Sequence, residues 1–104
     1  MRLEFNLELS KITVPRFSVE AVEGIGKIFT LVTLVLNVFE THDKVEIVFH
    51  GLNPEDPGRK IEGFKEIIQS SPTARKVGYE VGDCTRVERS SSYYQWLTIN
   101  ANSG

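Results

Sequence analysis

The longest uncharged apolar stretch, Ile28 to Phe39, constrains this 104-residue chain more than any other feature. It is twelve residues of apolar side chains broken only by two threonines and an asparagine, which is too short to span a membrane. Two periodicities compete for it. Val22, Ile25, Phe29, Val32, Leu36 and Phe39 follow the three-and-four spacing of a helical seam. Against a helix stand six β-branched residues, Ile28, Thr30, Val32, Thr33, Val35 and Val38, which lose rotamer freedom against the preceding turn. A helix carried back to Val22 would also enclose Gly24 and Gly26, at about 1 kcal/mol each. These propensities favour a strand over Ile28 to Phe39.

Read as a strand, the segment is apolar on both faces. Ile28, Val32, Leu34, Leu36 and Val38 lie on one, and Phe29, Leu31, Val35 and Phe39 on the other. The flanking strands are one-sided. Leu3, Phe5, Leu7 and Leu9 alternate with polar residues, and Val45, Ile47 and Phe49 alternate with Glu46, Val48 and His50. Glu40 to Lys44 then reads as a hairpin connection, and Pro15 as a break after the first strand. Ser18 to Gly26 fits either a short helix capped by Ser18 or a second strand.

Further along, Asp56 reads as a helix cap with Pro57 at the first helical position. Ile61, Phe64, Ile67 and Ile68 form the apolar stripe of a helix over residues 57–70, which stops at Ser70-Ser71-Pro72. Val77 to Val81 and Tyr93 to Ile99 read as strands. The expected fold is a single α+β domain, a mostly antiparallel sheet of four to six strands with one well-defined helix packed on one face. One helix, about 10 Å wide, cannot cover both faces of such a sheet. That surplus points to a homodimer or a docked protein, with Phe29, Leu31, Val35 and Phe39 as partner-binding residues. Arg89, Tyr93, Tyr94 and Trp96 join them, because arginine, tyrosine and tryptophan dominate protein-binding hot spots.

Chemistry is harder to find. Twelve basic and fourteen acidic residues give a formal charge of −2, which argues against the broad positive field of non-specific nucleic-acid binding. Cys84 is the only cysteine, so no intrachain disulfide can form, and Asp83 beside it disfavours a reactive thiolate. The first residues lack the continuous apolar core of a signal peptide, and with the lone thiol this points to the cytoplasm. Glu23-Gly24-Ile25-Gly26-Lys27 fails the phosphate-loop pattern, since Ala21 and Ile28 stand where glycine and Ser or Thr are needed. His42-Asp43 and His50 are too sparse for a metal shell, Glu55-Asp56 and Glu62-Glu66 read as helix cap and solvated surface, and no hydrolase constellation is present. No catalytic, metal or cofactor residue is assigned. The function these features favour is a non-enzymatic protein-binding module of the inhibitor, immunity or adaptor type. One alternative is a ligand-binding or enzymatic site around His50, Glu46 and Tyr94. Another is RNA binding through Arg75, Lys76, Arg86, Arg89 and the terminal aromatics.

Overall fold

The computed structural model describes residues 2–7, 13–20, 25–71 and 77–101. Six strands and two helices run in the order β1 (Arg2–Leu7), β2 (Thr13–Val19), α1 (Ile25–Val38), β3 (Lys44–Gly51), α2 (Asp56–Ser70), β4 (Gly78–Val81), β5 (Thr85–Val87) and β6 (Ser92–Asn100). The strands form one mixed sheet ordered β1-β2-β3-β6-β4, and β5 pairs with β6 beyond the end of β4. Five strand positions thus lie side by side, the last shared by β4 and β5. The β2–β3 pair is parallel, and the other four pairs are antiparallel.

Ile28 to Phe39 is not a strand. It forms α1 with its N-terminal neighbours, and Ile28, Leu31, Val32 and Val35 are buried at the i, i+3, i+4, i+7 spacing of a helix face. Burial against the sheet outweighs the intrinsic cost of β-branched residues, which is only tenths of a kcal/mol each. The expected two-faced apolar strand, and the hairpin after it, therefore do not exist. Residues 39–43 instead close the helix, with the His42 amide donating to Val38 O at 2.9 Å, and lead into β3. An α-helical crossover is what a parallel neighbour pair requires, so α1 and the parallel β2–β3 pair are one feature.

Pro15 lies inside β2 rather than ending a strand. It pairs with Phe5 of β1, while the ladder to β3 begins one residue later, at Arg16 opposite Glu46. A missing donor is tolerated where one side of the strand has no ladder yet.

The core is a single cluster on one side of the sheet. Phe17 and Val19 of β2, Val45, Ile47 and Phe49 of β3, and Leu97 and Ile99 of β6 meet the buried faces of both helices. Phe49 and Phe64 pack edge to face, their centroids 6.0 Å apart. Helix α2 supplies Ile61, Phe64 and Ile68 as the stripe anticipated them. Its start differs by one residue. Asp56 is the first helical residue, and its carboxylate accepts from the amides of Leu52 and Asn53, while Asn53 Oδ1 accepts from those of Glu55 and Asp56. The turn closes so tightly that a Cβ on Gly51 would occupy the Asp56 side chain.

The helical face of α1 makes its four buried residues energetically distinct from Phe29, which is 64% exposed. Leu31→Ala is expected to lower stability by about 2–5 kcal/mol. Phe29→Ser should stay within about 0.5 kcal/mol. Urea unfolding of the two variants measures both.

Candidate functional site

The side-chain period of a strand is two, so placing Phe17, Ile47, Phe49, Leu97 and Ile99 under the helices puts their neighbours on the opposite face. Strand register aligns that face in three rows. By register, Glu4, Arg16, Glu46, Thr98 and Glu80 occupy the first, Arg2, Ser18, Val48 and Trp96 the second, and His50, Tyr94 and Thr85 the third. Both helices pack against the other face of the sheet, and the molecule measures 36 × 36 × 21 Å. The short axis has room for one helix layer on one sheet. Among the described residues nothing covers this second face.

Its centre is a cation, an anion and an indole. Arg16 Nη2 donates to Glu46 Oε2 at 3.3 Å, and the guanidinium carbon lies 4.7 Å from the Trp96 ring centroid. β3 separates β2 from β6, a span of roughly 10 Å. Arg16 must therefore lie across β3 to reach the indole, which accounts for the burial of Val48 on a face otherwise open to water. The Nε of Arg16 is buried without a hydrogen-bond partner. At the other end of the face the His50 and Tyr94 rings sit 6.1 Å apart.

The residues singled out from sequence do not form one surface. Leu31 and Val35 are fully buried in the core, and Phe39 packs partly buried against it. Phe29 projects from α1, on the far side of the molecule from the open sheet face. Tyr94 and Trp96 lie on the open face, but Tyr93, paired with Gly51 and Arg86, faces the helix side. Arg89 is exposed in the tight β5–β6 turn, where Ser91 takes a φ of 51°. Arg16, Val48, Thr98 and Glu80 were missed. The signal for Arg16 is the alternation Arg16, Phe17, Ser18, Val19, which follows directly on Pro15, a residue that reads as a strand end.

The alternative constellations are also placed. Glu46 and His50 are four residues apart on β3, about 13 Å along the strand, with Glu46 engaged by Arg16, so they do not converge on one reacting atom. Arg86 shares a register row with Tyr93, not with Trp96, and Arg75 and Lys76 lie outside the described residues. His42 precedes β3 and His50 is near its other end, so the two cannot share a metal ion. Among the described residues no group of three or more His, Cys, Asp or Glu is placed to hold one, and no helix is long and apolar enough to cross a membrane. Cys84 is exposed at the break between β4 and β5, its Sγ 3.5 Å from Pro54 O.

Two titratable groups on the helix side are displaced from their ordinary values. Burial lowers the Lys60 ammonium, opposed by the charges of Asp56 and Glu20, while its Nζ donates to Glu20 O at 2.8 Å and His50 O at 2.7 Å. Lys60 thus ties α2 to the carboxyl ends of the parallel strands. Burial raises the Tyr79 phenol, opposed by the Gln69 side chain, and Lys65 Nζ lies 5.2 Å from its ring centroid.

Comparison of the sequence with protein-family models and with curated proteins, and of the fold with solved structures, finds no match.

Lys60→Met removes the donor from two backbone carbonyls, and a loss of about 1–2 kcal/mol in urea unfolding is expected. For Tyr79 the folded state holds the phenolic proton more tightly than the unfolded chain. Its stabilising contribution is complete below the ordinary tyrosine value and disappears as pH rises through the raised folded value. Urea midpoints measured from about pH 9 to 11 should accordingly fall less steeply in Tyr79→Phe than in the parent chain.

Proposed function

We propose that this protein is a non-enzymatic protein-binding module that docks its partner on the open face of the sheet. The observation that carries this reading is the Arg16–Trp96 stack at the centre of a sheet face that no described element covers. Interface cores are enriched in aromatic residues and arginine and depleted in other charges, and this face concentrates Trp96, Tyr94 and Arg16 around the buried Val48. Regular strands hold those side chains at fixed spacings, so little ordering entropy is lost on docking. Glu46 and Glu80 in the same row as Arg16 argue against a phosphate backbone as the occupant.

The reading replaces the apolar strand inferred from sequence with an amphiphilic sheet face. It keeps Tyr94 and Trp96 as binding residues and adds Arg16. Photo-crosslinking side chains placed at Ser18 and Thr98, on the open face, are expected to form protein adducts in cells, while one at Glu66, exposed on α2, should not. Adducts from Glu66 alone would reject the reading.

A further inference from the structure

On the reading that the open face is a docking surface, we infer that its occupant is a second copy of this chain, packed face to face about a two-fold axis parallel to the strands and midway between β3 and β6. Such an axis lays β3 of one copy over β6 of the other and β2 over β4, and it keeps each row opposite itself. The rows then match. Val48 meets the partner copy's Trp96, His50 meets its Tyr94, Glu46 meets its Thr98, and Arg16 meets its Glu80. A contact between two identical surfaces must be self-complementary, and this register supplies a cation opposite an anion twice and an aliphatic side chain opposite an indole twice.

Arg16 is suited to the exchange. Among the described residues it makes a single, long hydrogen bond to Glu46 at 3.3 Å, and its Nε has no partner there. A guanidinium carries five donors, so it has capacity for the Glu80 carboxylate of the second copy. Glu80 is exposed and forms the outer end of the first row. Moving Arg16 off its own indole also bares Trp96 for Val48 of the other copy. Under this axis β2, β3, β6 and the position shared by β4 and β5 overlap while β1 overhangs, so four strand positions by about seven residues give a footprint of roughly 19 by 23 Å, or about 900 Å² for both copies before side-chain relief is counted, at the small end of specific interfaces.

The test uses charge reversal and mixing. The parent chain should sediment as a concentration-dependent dimer up to about 100 µM, with the emission of Trp96, the sole tryptophan, shifting to the blue as the dimer forms. Glu80→Arg and Arg16→Glu, each confirmed folded by circular dichroism, should each weaken self-association about tenfold or more. Mixed together they should restore it, because in the mixed dimer both contacts between positions 16 and 80 again set an arginine against a glutamate. A parent chain that stays monomeric overturns the inference, and so does a dimer that both reversals leave intact. Foreign-protein adducts at Ser18 and Thr98 with a monomeric parent chain would reject self-association while leaving the docking reading standing. Retention of single-stranded RNA by the parent chain at low salt, lost in Trp96→Ser, would reject both.

Discussion

The parity of three strands governs the molecule. Once Phe17 and Val19, Val45, Ile47 and Phe49, and Leu97 and Ile99 are committed to the helix side, every intervening side chain on β2, β3 and β6 has only one direction left. A slip of one residue in any of these ladders would bury Arg16 or Glu46 and expose a core side chain, so the register is strongly held. The rows on the open face are therefore a consequence of the core. The same burial that stabilises the fold aligns Arg16, Glu46, Thr98 and Glu80 across four strands.

The α2 stripe was legible in sequence because polar residues surround Ile61, Phe64 and Ile68 and leave one period visible. β3 was legible for the related reason that alternation is plain in Val45 to Phe49, and β6 because Tyr93 to Ile99 is rich in aromatic and β-branched residues. α1 was not. Its run is apolar nearly all round, so a helical and an extended reading both find partners for every side chain, and β-branched content tipped the balance toward the strand. Tertiary context decided otherwise, since a parallel β2–β3 pair needs a crossover and α1 is the segment available to make it. The apolar surplus inferred from a two-faced strand falls away because the run is a helix that buries Ile28, Leu31, Val32 and Val35 on one side.

The candidate site was only half legible. Trp96 and Tyr94 could be flagged by residue type, but their separation from Tyr93 depends on which parity of β6 is buried, and that follows from pairing with β3. Arg16 could not be linked to Trp96 at all, because eighty residues of chain separate them and the contact exists only through β3 lying between β2 and β6. Pro15 hid the strand that carries it. Its position beside the first rung of the β3 ladder shows that a proline can remain in a sheet where pairing on one side has not begun.

The sheet margin at β4 and β5 offers little to another chain. At one end β4 and β5 are short and interrupted at Gly82 to Cys84, with the Gly82 amide donating to Trp96 O and the Gln95 side-chain amide to Gly82 O, so the ladder there is consumed internally and broken. Interrupted edges resist strand addition. Beside Trp96 that same interruption leaves no side chain on β4 beyond Glu80 to crowd the indole, since Gly82 has none, and a Cβ there would lie 3.5 Å from that of Trp96. The break that blunts this edge thus also keeps the second row of the open face low beside the tryptophan, which favours a contact made onto the face over one made along the β4 and β5 margin.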